Sequence, residues 1–250
     1  MMIICVFDTE TTSLDKPFCY NIGYIVENTE THEILCARDF VVEQIWHNLP
    51  LFQTAYYAEK RPLYVARMRA RTCKLDKFGY ICQQMKRDFQ NFGVEAAYAF
   101  NSSFDDRVFS FNCDWYKCIN PFDTISIFDI RAYAIDYIGR TVSYQDFCEA
   151  ENLLTENGNY QTTADSFYRY LYNKEFVEEH TALSDSYCEL EILRYLYRNG
   201  VNITEEKTAP KYIERKFSHE WTIQKGRETV MKIESPKVTV YKKNFKIKFD

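Results

Sequence analysis

Ile3-Ile4-Cys5-Val6-Phe7-Asp8-Thr9-Glu10-Thr11-Thr12 is the stretch from which the fold can be read. Its first five residues are continuously apolar and largely β-branched, the pattern of a strand buried on both faces in the middle of a sheet. Side chains two apart on a strand share a face, so Asp8 and Glu10 stand side by side where that strand ends. Two unpaired anions there cost free energy. Divalent cations relieve the cost, and carboxylate oxygens are the hard ligands that Mg²⁺ or Mn²⁺ take. Alone, an Asp-x-Glu is more often only a polar strand end before a turn.

Outward from this strand, residues 20–27 and 33–43 read as two more, joined by the polar turn Asn28-Thr29-Glu30-Thr31, so an antiparallel meander is expected. Residues 46–72 mix rings and cations, Tyr56-Tyr57 with Arg67, Arg69 and Arg71, without strand alternation; they are expected to be a helical insertion over the active face. Ile81, Met85, Phe89 and Phe92 predict a helix over 78–92. Strands follow at 95–101 and 125–128, with helices at 104–115, 130–138, 144–153 and 167–172. A long helix over 181–198, with Leu183, Tyr187, Leu190, Leu193, Leu196 and Tyr197 as its apolar stripe, stops at Gly200. The fold class is therefore α/β: a meander with later strands added through helices, and helices packed on the sheet.

A chain of 250 residues with 46% apolar content can bury one sizeable core. The expected organisation is a main domain over 1–200 and an appendage over 201–250. No run approaches the roughly 20 apolar residues needed to cross a bilayer, and the apolar start lacks a basic flank. The protein is expected to be neither exported nor membrane-bound. Nine cysteines without a CxxC pair or Cys/His cluster point to reduced thiols in the cytoplasm and away from zinc.

Two further elements bear on chemistry. Ala99-Phe100-Asn101-Ser102-Ser103-Phe104-Asp105 runs from a strand into a helix. Asp105 there is either a cap or a ligand, and Asp106 beside it competes for the role. Phe104, Val108 and Phe111 as the buried stripe would leave Asp105 on its flank. His180-Thr181-Ala182-Leu183-Ser184-Asp185 opens the long helix, with an imidazole just before it and a carboxylate one turn inside. The ordinary imidazole pKa of about 6.5 suits removal of a proton near neutral pH.

In order and context the three elements resemble the motifs of the DEDDh group of DnaQ-like 3′–5′ exonucleases, the family of polymerase proofreading subunits. FDTETTSLD, AFNSSFD and HTALSD carry the resemblance, which covers about residues 3–198 and not the tail. It implies a ribonuclease H-like mixed sheet, with Asp8, Glu10, Asp105 and Asp185 binding two Mg²⁺ (or Mn²⁺) ions and His180 acting as general base. Thr11, Thr12 and Leu14 match the stretch that meets the 3′-terminal nucleotide, and Asn101 matches a polar position lining the site. Leu14 is equally readable as ordinary packing beside the first strand. Ser13 stands where Gly is common and Asn21 where Glu is common. The implied activity is hydrolysis at a nucleic-acid 3′ end, with single-stranded DNA the first expectation, nucleoside 5′-monophosphate the product, and a polymerase or replication protein an allowed partner. An exonuclease of RNA or oligonucleotides, or a non-catalytic nucleic-acid-binding module, are the rival readings.

The net charge of −5 hides an uneven distribution. Residues 201–250 carry 12 Lys+Arg against 7 Asp+Glu, so the tail is positive and the body strongly acidic. Lys211, Arg215, Lys216, Lys225, Arg227, Lys242, Lys243, Lys246 and Lys248 interleave with Tyr212, Phe217, Trp221, Tyr241 and Phe245. This suits a surface that neutralises phosphates and stacks bases. It equally suits a small β appendage whose edges are protected by lysines. Strict alternation at 245–249 and the turn signals Lys225-Gly226 and Ser235-Pro236 predict that appendage.

Overall fold

The computed structural model describes residues 2–172, 175–177, 179–207, 209, 210, 212, 213 and 215, and the backbone of strands at 221–225, 228–233 and 246–248. β1 (Ile3–Thr11), β2 (Cys19–Asn28) and β3 (Glu33–Val42) form the expected meander. The Asn28 side chain closes its second turn by accepting from the amides of Glu30 (3.0 Å) and Thr31 (3.4 Å).

Residues 46–72 are mostly helical, in pieces: α1 (Glu43–Trp46) leads into α2 (Leu49–Phe52), a single 3-10 turn (Ala58–Lys60) and α3 (Arg61–Arg69). A strand absent from the sequence reading, β4 (Lys74–Asp76), then pairs parallel with β3. α4 (Phe78–Phe92) returns the chain to β5 (Ala96–Ala99), parallel to β1, and α5 (Ser102–Tyr116) leads to β6 (Ser126–Asp129), parallel to β5. The six-stranded order is β4-β3-β2-β1-β5-β6, a mixed sheet with β1 and β2 at its centre.

Both faces of that centre are covered, which is why Ile3–Phe7 of β1 reads as an unbroken apolar run. Ile3, Cys5 and Phe7 point into one cluster, shared with Phe78, Ile81, Met85 and Phe89 of α4 and Val108 and Phe109 of α5. Ile4 and Val6 point into the other. There they meet α6 (Ile130–Ala134), α7 (Val142–Ala150), α8 (Ala164–Leu171) and α9 (Ala182–Arg198) through Ile130, Tyr144, Phe167, Leu190 and Leu193. A π turn (Ile135–Gly139) separates α6 from α7.

α9 lies against β1 and β2, anchored at two points. At its start, Gly23 of β2 lets the helix backbone come so close that a Cβ there would sit 2.1 Å from the Leu183 nitrogen. Further along, Arg194 grips the buried Glu27 with two nitrogens, Nε at 3.0 Å from Oε1 and a terminal nitrogen on Oε2. Gly200, at φ 77°, ends the helix as expected.

The faces of two helices differ from the sequence reading. In α5 the buried stripe is Asp105, Val108, Phe109, Asn112 and Cys113; Phe104 and Phe111 are only partly buried, and Asp106 is exposed. In α9, Tyr187 is exposed, while Asp185, Ser186 and Glu189 are buried. Polar residues occupy core-facing positions in both helices, so hydrophobicity alone places the stripe wrongly.

A second sheet, of order β8-β7-β9, consists of β7 (Trp221–Lys225), β8 (Glu228–Ile233) and β9 (Lys246–Lys248), all antiparallel. Lys225 pairs with Glu228 in the β7–β8 register. Gly226, Ser235-Pro236, Phe245 and Phe249 lie outside the described residues, as do Lys211, Lys216, Phe217, Arg227, Tyr241, Lys242 and Lys243. Among the described residues no helix is long and apolar enough to cross a membrane.

Candidate active site

Strand alternation carries Asp8 and Glu10 to the face of the sheet that α9 covers, beyond Ile4 and Val6. Asp8 pairs with Gly23 in the β1–β2 register, and Gly23 is where the first turn of α9 touches the sheet. That approach brings Asp185 to Asp8: carboxylate oxygens of Asp8, Glu10 and Asp185 all lie within 4.8 Å of one another. Tyr20 extends its hydroxyl toward Glu10 Oε2 at 3.5 Å.

Asn21 secures this junction. Its Nδ2 donates to Asp39 Oδ1 (2.7 Å) and the Phe40 carbonyl (2.8 Å), while its Oδ1 accepts from Tyr64 Oη (3.0 Å) and the Ala182 amide (2.8 Å). An amide can donate and accept at once, and here it does both while buried. The position where Glu is common in the resembled family thus serves to hold the α9 N-terminus on β2 and β3.

Asp105 stands beside the trio and outside its oxygen cluster. It enters from α5, on the opposite face of the sheet, is 2% exposed, and accepts from Thr9 Oγ1 at 2.6 Å. Burial pushes its pKa up to about 7 against the hydrogen bonds from Thr9. Asp185 is likewise raised to about 7 by burial, opposed by the Ser184 hydroxyl and the charge of Lys60. Asp8 is held well above the carboxylate range, first by desolvation, then by the charges of Asp105, Glu189, Asp185 and Glu10.

Glu189 was not singled out from sequence. It follows Asp185 by one helical turn, is 3% exposed, and accepts from the Phe100 amide at 3.2 Å. The i, i+4 spacing from a candidate acid is the signal that would have found it. Arg131 was also missed. Its guanidinium donates to the Thr162 carbonyl (3.0 Å) and hydroxyl (2.7 Å), and it lines an open cleft of about 350 Å³ with Asp8, Asn101, Asp185 and Glu189. Asn101, at φ 68°, is tied to Asp129 Oδ1 through its amide at 2.9 Å.

His180 precedes α9 in the left-handed region, at φ 51°, a conformation costing on the order of 1–3 kcal/mol in a non-glycine residue. Its neighbours hold it there. Lys60 donates to the Glu179 carbonyl, and Arg67 bonds Glu179 (2.5 Å), Asp39 (3.1 Å) and Thr181 (3.0 Å). Tyr57 stacks on the imidazole, centroids 4.4 Å apart and planes within 12°. Burial, and then the Lys60 charge, lower the His180 pKa from 6.5, so the ring is neutral at pH 7.

Thr11, Thr12 and Leu14 sit where β1 gives way to the loop before β2. Thr12 is buried, and its Oγ1 has no hydrogen-bond partner. Leu14 is 71% exposed, so the packing alternative for it does not hold.

The sheet order defines a ribonuclease H-like α/β fold, with three carboxylates gathered at the end of its central strand. No protein-family model matches the chain, nor does any curated protein sequence. Solved structures do match. The nuclease domain of 3′hExo, a DEDDh family member, bound to rAMP, has a TM-score of 0.57 at 14% identity over 82% of this chain and 97% of that one. A 3′-exonuclease in 3′-end-specific recognition of a histone mRNA stem-loop has a TM-score of 0.58 at 14% identity, over 86% and 91%. Exonuclease I, in an SSB/Exonuclease I structure with the inhibitor CFAM, has a TM-score of 0.54 at 12% identity, over 79% of this chain and 42% of that one. The chain shares the fold of the DEDDh 3′-exonucleases.

Proposed function

We propose that this protein is a metal-dependent 3′–5′ exonuclease. The observation that carries the reading is the convergence of Asp8, Glu10 and Asp185 within 4.8 Å at the end of the central strand, where burial desolvates Asp8 and Asp185. Such a donor set fits two hard divalent cations, Mg²⁺ or Mn²⁺, held by these three carboxylates and Asp105. The ions would polarise a phosphodiester and stabilise the charge that develops on its oxygens.

The chain's own residues supply the remainder. His180, neutral at pH 7 and fixed in plane by Tyr57, takes a proton from the attacking water on an imidazole nitrogen. Arg131, on the wall of the cleft, would supply positive charge to the phosphate. Asn101 and the unsatisfied Thr12 hydroxyl offer hydrogen bonds to the terminal nucleotide, and the exposed Leu14 offers an apolar surface to its base. The products are a nucleoside 5′-monophosphate and a strand one unit shorter.

The substrate we propose first is the 3′ end of single-stranded DNA. An RNA 3′ end is the second reading, supported by the rAMP and the histone mRNA stem-loop of the two similar structures above. End-labelled DNA and RNA strands test both. Expected is stepwise loss of nucleotides from the 3′ end with Mg²⁺ or Mn²⁺, none in chelator, and at least an about 100-fold loss in folded Asp8→Asn. Shortening that persists in chelator or in Asp8→Asn overturns the reading.

A further inference from the structure

None of the nine cysteines is in a disulfide, and three of them, Cys113 with nearby Cys118 and Cys82 from another helix, meet in the fold: their sulfurs lie within 4.8 Å of one another. Cys82 comes from the second turn of α4, and Cys113 from the last turn of α5. Lys117, in the left-handed region at φ 54°, then turns the chain back, and the Cys118 amide donates to the Cys113 carbonyl at 3.1 Å. On α4, one turn before Cys82, Gly79 leaves room for Cys118; a Cβ there would come within 3.3 Å of the Cys118 Cβ. Cys82 and Cys113 are buried, and Cys118 is half-buried, so the cluster opens to solvent on one side only.

We propose that Cys82, Cys113 and Cys118 bind one zinc ion, with a solvent molecule as its fourth ligand on the Cys118 side. Zinc–thiolate bonds of about 2.3 Å in a tetrahedron set sulfurs about 3.8 Å apart, a separation that this cluster encompasses. Thiolates are soft donors and discriminate against Mg²⁺ and Mn²⁺, so the site is chemically distinct from the carboxylate cluster. Among thiophilic ions the charge decides. Three thiolates around Zn²⁺ leave a single negative charge, whereas Cu⁺ leaves two, a heavier cost for sulfurs of which two are buried. Iron–sulfur clusters call for a fourth cysteine. The ion cross-links α4 to the C-terminal end of α5, the helix whose first turn carries Asp105.

The test uses the full chain, reduced and freed of metal, titrated with Zn²⁺ and with Co²⁺ as its spectroscopic substitute. Expected are one tightly held zinc per chain and a sulfur-to-cobalt charge-transfer band in the near ultraviolet, which carboxylate ligands do not give. Cys118→Ser, at the half-buried edge, should lose the band and weaken zinc binding at least tenfold. Cys36→Ser and Asp8→Asn should keep both. No band from the parent chain overturns the proposal, and so does a band that survives in Cys118→Ser. Because the parent chain alone is decisive, misfolding of a variant does not shelter the idea.

Discussion

His180 and the acids of the candidate site are prepared in opposite senses. Burial and Lys60 keep the imidazole neutral at pH 7, whereas burial and mutual repulsion keep the carboxyls reluctant to ionise. Replacing His180 by Ala should lower kcat by about 10²–10⁴ and leave KM within a few fold, in single-turnover and steady-state assays; equal losses in both would make it a binding residue. The acids give a second prediction. Without metal, Asp105 and Asp185 titrate at about 7 against the ordinary value of 3.8, so protonation favours the folded state. That stabilisation is complete below pH 3.8 and is lost as pH rises through about 7. Thermal unfolding in chelator should therefore show a higher Tm at pH 6 than at pH 8, and Mg²⁺ should raise Tm more at pH 8. The reverse order would mean that burial does not hold these two carboxyls protonated.

At the scale of elements, the site depends on how closely α9 approaches β2. Gly23 is the condition for it, because a Cβ would overlap the Leu183 nitrogen and the Ala182 carbonyl carbon, both backbone atoms that cannot swing aside. Gly23→Ala should cost at least about 3 kcal/mol, above ordinary overpacking, read from the urea midpoint. It should also cut metal affinity by moving Asp185 away from Asp8. A variant with unchanged midpoint and affinity would show that α9 is not pinned there. The sequence revealed elements where one physical requirement dominated. α4 runs Phe78–Phe92 as its spacing predicts, because Phe78, Ile81, Met85 and Phe89 are all buried on one face. α5 was found, but its stripe was misplaced, because Asn112 is buried to bond the Pro17 and Val108 carbonyls and the Cys19 amide. The choice of Asp105 over Asp106 rested on that misplaced stripe, yet Asp105 is the residue that faces inward, as part of the stripe itself. β4, three residues long, has no period to detect. The three-cysteine cluster was invisible for a different reason: it depends on which helix faces which, and spacing along the chain does not state that.

For the whole molecule the tension is electrostatic, since under the proposed function an acidic body receives a polyanion. Divalent cations at the carboxylates would answer it locally; the positive tail would be the means at longer range, if it binds nucleic acid. Where the tail begins to act separately is indicated by packing. Ile203 is buried, the Tyr98 hydroxyl donates to the Ile203 carbonyl at 3.3 Å, Tyr160 pairs with Ile213, and Arg215 bonds Glu149 at 3.1 Å. Ile203, Ile213 and Arg215 therefore support the body, and a truncation that tests the tail should remove only 216–250. Such a chain should hydrolyse a dinucleotide at the parent rate, because Asp8, Glu10 and Asp185 remain intact. Its affinity for a long single strand should fall, and the dependence of log K on log salt should become about 3 units shallower if four or five phosphates are released. Fluorescence anisotropy over a salt series measures both. Unchanged affinity with an unchanged slope would leave the tail lysines the other task, guarding the edges of β8 and β9 against pairing with a second chain; the truncated chain would then differ from the parent in self-association and not in its hold on the strand.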